Sequence, residues 1–114
     1  MKQQPKAVLK LIKNIENSGW IVALDDNGQA AYLSQGTPLG EDFGFDVEYK
    51  NADELVKAIS DYYEDFDPEE HAMMWWNARN SVSGVPQSIR ELLDDADAIR
   101  KMLAKLTKTV GAAA

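Results

Sequence analysis

The stretch DYYEDFDPEEHAMMWW, residues 61 to 76, holds six carboxylates, the single histidine and two adjacent tryptophans. Clustered carboxylates can coordinate a divalent cation, act as an acid/base pair, or present charge to a basic partner. The segment DFDPEE alternates oxygen-bearing side chains, yet it lacks the central glycine and the spaced terminal glutamate of a calcium loop. The oxygens of DDNG, residues 25 to 28, are accounted for by a tight hairpin turn. Hydrolysis by paired carboxylates needs a substrate cleft, and a short sheet in a small domain offers little depth. Nucleophilic chemistry has no support: there is no cysteine, and His71 sits one turn inside a helix start, the position of a solvated or capping residue. The motifs of phosphate loops, dinucleotide folds and zinc proteases are absent. A phosphate against GTPLGEDFG, residues 36 to 44, would meet Glu41 and Asp42, which rejects a nucleotide cradle. The expectation is a non-enzyme with no catalytic residue, no metal site and no cofactor.

The elements that position this stretch follow from hydrophobic periodicity. Val8, Leu11, Ile12 and Ile15 recur at helical spacing, with Pro5 suited to the first turn and Gly19 to the left-handed stop. Trp20, Val22 and Leu24 then alternate with Ile21 and Ala23, and after Asn27-Gly28 an extended pattern resumes in QAAYLS. That dipeptide is a strong hairpin signal, because a tight turn wants positive φ at its centre. TPLGEDFG reads as a loop. In FDVEY, Phe45, Val47 and Tyr49 alternate with Asp46 and Glu48, giving a third, half-buried strand. Asn51 with Glu54 predicts a capping box for a helix reaching Tyr63 or Phe66, its dry stripe being Leu55, Ile59, Tyr62 and Phe66. Asp67-Pro68-Glu69-Glu70 restarts a short helix, with an acidic cap, proline at the first position and acids against the positive helix end. RNSVSGVP breaks it. Ser88 with Glu91, or Pro86 itself, opens the last helix. There Ile89, Leu92, Ala96, Ile99, Leu103, Leu106 and Val110 form a heptad-like seam, which fits either a packing helix or a dimer coiled coil.

The fold class expected is α+β: an N-terminal helix, a small three-stranded antiparallel sheet, then three helices packed on one face. The 114 residues fit a single domain over 1–110, with 111–114 as a frayed tail. A hydrophobic share of 45% is ordinary for a globular chain. No apolar run approaches the ~20 residues of a bilayer span, and Lys10 and Lys13 interrupt the stretch that a signal peptide would need. With no thiol to pair, a cytoplasmic protein is expected.

Charge is unevenly spread. The net charge is −7, residues 41 to 70 hold twelve acids against two lysines, and residues 1 to 20 hold four lysines against one acid. The acidic middle repels nucleic acid and attracts basic protein surfaces, so the partner expected is a basic nucleic-acid-binding protein rather than nucleic acid itself or a membrane. Glu54, Asp61 and Asp65 share a helix face that Asp53 and Glu64 extend, although Lys57 falls within the arc. Asp67, Glu69 and Glu70 carry the charge around the turn. Trp75 and Trp76 lie about 100° apart on a helix, so one is expected in the core and the other at the edge, where tryptophan makes a natural interface anchor. The candidate partner-binding residues are therefore Asp61, Glu64, Asp65, Asp67, Glu69, Glu70, Trp75 and Trp76.

Residues 66 to 99 resemble the C-terminal part of small acidic accessory proteins of phages and other mobile elements of gut bacteria. The residues that carry the resemblance are Asp67-Pro68-Glu69-Glu70-His71, Trp75, Gly84-Val85-Pro86 and Ser88 through Leu93. Some such proteins are anti-CRISPR or anti-restriction inhibitors. The resemblance implies a non-enzymatic protein in the cytoplasm of a bacterial host cell that blocks a host defence nuclease, often by covering the place where that nuclease would grip DNA. The alternative is a homo-oligomeric structural or regulatory module, such as a homodimer, assembled through the 89-to-110 seam.

Overall fold

The computed structural model describes residues 6–26, 29–80 and 89–113. Pro5, the Asn27-Gly28 turn, Gly84-Val85-Pro86, the Ser88 cap and Ala114 lie outside the described residues. The architecture is α+β, as the periodicity predicts. Helix α1 (Lys6–Asn17) buries Val8, Leu11, Ile12 and Ile15. It ends where Gly19 takes φ 105°, a conformation costly for any residue with a Cβ, and the Gly19 amide caps the Glu16 carbonyl at 3.0 Å. Strands β1 (Ile21–Leu24), β2 (Ala30–Gly36) and β3 (Asp42–Glu48) form an antiparallel sheet in the order β1-β2-β3. Asp25 closes the first hairpin: its Oδ1 accepts from the amides of Gln29 and Ala30 at 2.9 and 3.1 Å. The carboxylate of DDNG thus serves a turn.

β3 begins at Asp42, three residues before the FDVEY pattern. Phe43 keeps the period-two alternation with Phe45 and Val47, and Gly44 and Asp42 still pair with Ser34 and Gly36. The inward row of Ala31, Leu33, Phe43, Phe45 and Val47 meets the helices, while Asp42, Asp46 and Glu48 point to water.

Helix α2 (Ala52–Asp65) starts on the expected cap. Asn51 accepts from the Glu54 amide at 2.9 Å, and Glu54 reaches back to the Lys50 amide at 3.1 Å. Helix α3 (Pro68–Asn80) is capped by Asp67, whose Oδ1 accepts from the amides of Glu69 and Glu70 at 3.0 and 3.4 Å. At 13 residues α3 is longer than the short helix expected. Helix α4 (Ile89–Ala113) runs 25 residues and passes Gly111, so helix continues into the segment expected to fray.

α4 contacts all three other helices. Its C-terminal half joins α1, α2 and the sheet in the main core through Ile99, Leu103, Leu106 and Val110. Its N-terminal half forms a second cluster, in which Leu92 and Ala96 pack on Ala72 of α3. The seam from Leu92 to Val110 is buried and Ile89 is partly so. It is therefore the domain's own packing surface, and the coiled-coil use of the same residues has no exposed stripe to work with.

The connector between β2 and β3 is fixed to this second cluster. Gly40, at φ 93°, lets residues 37 to 41 turn tightly, with the Thr37 amide bonded to the Glu41 carbonyl at 2.9 Å. Asp95 of α4 is 4% exposed. Its Oδ1 accepts from the Leu39 amide at 2.9 Å, its Oδ2 from the Thr37 hydroxyl at 2.8 Å, and that hydroxyl accepts from the Glu41 amide at 3.0 Å. Leu39 then packs beside Trp75, Trp76 and Leu93. Asp95→Asn puts an amide where an acceptor is needed, or leaves the Leu39 amide unpaired if the side chain flips. It should cost about 1–3 kcal/mol, read as a lower urea midpoint at unchanged slope. An unaltered midpoint would remove this carboxylate from the account of the fold.

Candidate partner-binding site

The last turn of α2 and the first turns of α3 meet at Phe66-Asp67. Because α3 restarts at Pro68, residues 67, 70, 71 and 74 fall on one helix stripe (i, i+3, i+4, i+7) that faces back toward α2. Together with α2 they enclose a cleft of about 230 Å³, lined by Tyr62, Asp65, Phe66, Asp67, Glu70, His71 and Met74. Small-molecule sites measure about 300–1,000 Å³, so this one admits a single side chain.

An aromatic stack supports the cleft from below. Tyr62 lies parallel to Phe45 at 4.2 Å, Phe66 meets Phe43 edge-on at 5.9 Å, and His71 packs on both Phe66 (5.3 Å) and Phe43 (5.7 Å). His71 is not the solvated residue expected. Its ring is partly buried, and Nε2 lies 2.8 Å from Oε1 of the buried Glu41. The reason is tertiary: the connector clamped by Asp95 delivers Glu41 to the first turn of α3. Opposite, Arg100 of α4 donates to the Phe66 carbonyl at 3.2 Å and lies 5.2 Å from the Tyr63 ring. It supplies the cation that the last turn of α2 lacks.

The expected acidic arc divides. Asp65, Asp67 and Glu70 come together at the cleft, and all three are exposed. Asp61 instead pairs with Lys57 at 2.8 Å and lies with Glu48 and Glu54 around a separate depression. That bond, then the Asp61 charge, raises the exposed Lys57 above its ordinary 10.5, with a smaller contribution from Glu64. Glu64 and Glu69 are exposed and line neither. Among the described residues, no group of three or more acidic or histidine side chains is arranged to hold a metal ion.

The tryptophans also differ from expectation. Both are half-buried against the second cluster, neither standing free at the edge. Among the described side chains of α3, Ala72 is the fully buried one, and at about 100° per residue Trp75 and Trp76 flank it on either side. The exposed apolar side chains of α3 are Met73 (46%) and Met74 (62%). Tyr62, Phe66, His71 and Met74 were missed as cleft residues, although the 67/70/71/74 spacing was a usable signal for two of them.

Burial pushes the Tyr62 hydroxyl above its ordinary 10.0, and the nearby Glu41 and Tyr32 add to the shift. The neutral form is thus favoured in the folded state. That contribution is complete below the unfolded pKa and is lost as pH rises through the higher folded value. Tyr62→Phe should therefore lose less stability than wild type between about pH 9 and about pH 11, measured as the difference in thermal midpoints. Parallel pH profiles would clear Tyr62 of any part in alkaline unfolding. The chain matches no protein-family model, no curated protein and no solved structure at a significant level, so the resemblance over residues 66 to 99 gains no support from these comparisons.

Proposed function

We propose that this chain is a non-enzymatic interaction protein that docks the α2–α3 junction onto a basic surface of a nucleic-acid-binding protein. The observation that carries the reading is the cleft. Three exposed carboxylates surround an opening with aromatic and thioether walls, sized for one side chain. A lysine or arginine fits that description: its stem lies along Tyr62, Phe66 and Met74 while its charge meets Asp65, Asp67 and Glu70. Glu64, Glu69 and the Asp61 group add further exposed negative charge on α2 and α3 and on β3, which speeds encounter with a basic partner. Repeated carboxylates on one side of the molecule would occupy the positions of phosphates. In that role the protein acts in the bacterial cytoplasm as an inhibitor from a mobile element, covering the DNA grip of a defence protein such as a CRISPR nuclease. No bond is made or broken.

The test is a pull-down from bacterial lysate, comparing wild type with Asp65→Lys/Glu70→Lys. Neither substitution touches the main core, and circular dichroism checks the helices. Wild type should capture nucleic-acid-binding proteins at about 150 mM salt, where charges act over about 8 Å, and lose them at about 1 M, where the range is about 3 Å. The variant should capture none of them at either salt. An identical set of captured proteins from both, or a set without nucleic-acid-binding proteins, would sink the proposal.

A further inference from the structure

Six of the twelve basic residues of this acidic chain form two evenly spaced stripes. Lys6, Lys10 and Lys13 follow one another at i, i+4 and i+7 on α1. Lys101, Lys105 and Lys108 repeat the same spacing on α4. All six are exposed, and none forms an ion pair within the described residues. Val8, Leu11, Ile12 and Ile15 on α1, and Ile99, Leu103 and Leu106 on α4, are buried in one shared core. Each lysine stripe therefore lies on the side of its helix turned away from that core. The two helices are in contact. α1 and the stretch of α4 from Ile99 onward contain seven basic residues and one acid, a balance of +6. Since the whole chain is −7, the remainder carries −13.

We infer that the lysine stripes of α1 and α4 form a second interaction surface, one that binds the phosphate backbone of double-stranded nucleic acid without reading its sequence. This goes beyond the acidic junction and rests on different residues. It also revises the expectation of no nucleic-acid contact, which followed from net charge and from residues 41 to 70. Spaced lysines gain most from a polyanion, because each neutralised phosphate releases condensed counterions. Exposed pairs with the carboxylates of a second copy contribute little by comparison. A duplex suits the surface better than a single strand, because neither α1 nor α4 has an aromatic residue on which an unpaired base could stack. A lipid surface suits it less, because Leu9 is the only large apolar side chain exposed on these two helices among the described residues. The acidic remainder is repelled by phosphate, so the duplex is met with the lysines toward it and the α2–α3 junction away.

Fluorescence anisotropy with a labelled mixed-sequence DNA duplex of about 20 base pairs tests this, with the salt dependence read from about 50 mM to about 200 mM. Wild type should bind at low salt, with log affinity falling against log salt at a slope no steeper than about −5 for six lysines. Lys101→Gln/Lys105→Gln/Lys108→Gln and Lys6→Gln/Lys10→Gln/Lys13→Gln should each weaken binding about tenfold and flatten the slope by about 3. Asp65→Asn/Glu70→Gln should bind the duplex at least as well as wild type. That outcome separates this surface from the acidic junction, since the same variant weakens capture of a basic protein. Absence of duplex binding at low salt overturns the inference. So does equal binding by the lysine variants. Lysine-dependent binding to vesicles containing phosphatidylserine without duplex binding assigns the surface to lipid, and salt-sensitive self-association without it assigns the surface to a second copy; either result overturns the inference as well.

Discussion

A single buried carboxylate sets the relation between the sheet and half of the helices. Asp95 has no cation beside it among the described residues. Its oxygens are tolerated in the interior because a backbone amide and a hydroxyl both point at them. Those donors belong to the β2–β3 connector, so satisfying one side chain fixes a loop to α4. Two consequences follow from that anchorage. Leu39 enters the cluster of Ala72, Leu92 and Ala96, and Glu41 arrives at His71. The first turn of α3 is then held against Phe43 and Phe66, and the cleft above them takes its shape. The acidic junction thus depends on a residue about thirty positions further along the chain that never reaches its surface.

Local physics was legible in the sequence, and tertiary physics was not. Asn51, Asp67 and Gly19 each act within three residues of themselves, and each performs the capping role that its type and position imply. The inward row Phe45, Val47 and Tyr49 and the seam from Leu92 to Val110 are periodicities, and periodicity survives folding unchanged. The errors have more than one cause. β3 started early because Phe43 continues an alternation that the neighbouring glycine disguised. His71 was misread because its partner, Glu41, is thirty residues away in the chain. Trp75 and Trp76 were separated by considering only the angle between them, whereas the reference that matters is Ala72, which both flank. The acidic arc divided because Lys57 claims Asp61, a contact the helix spacing had already made visible.

The charges are sorted with the architecture. Acids occupy the junction where α3 begins, and there Asp67, Glu69 and Glu70 meet the positive end of a helix. Lysines occupy the backs of α1 and of the C-terminal half of α4, on the sides turned away from the main core. Such a molecule is a dipole as well as a net anion, and orientation in an external field is decided by the dipole. A basic protein and a phosphate backbone would therefore meet different sides of it.

α4 has one more consequence, which concerns time rather than space. Both clusters close against it, and it follows every other described element in chain order. While residues 6 to 80 are being synthesised, the sides of α1, α2 and α3 that face α4 have nothing to cover them. Local helices and hairpins form on the way, since they need only near neighbours, but neither core becomes dry until the last helix arrives. Completion of both cores thus waits for the synthesis of α4, and the acidic surface that emerges earlier keeps the waiting intermediate dissolved.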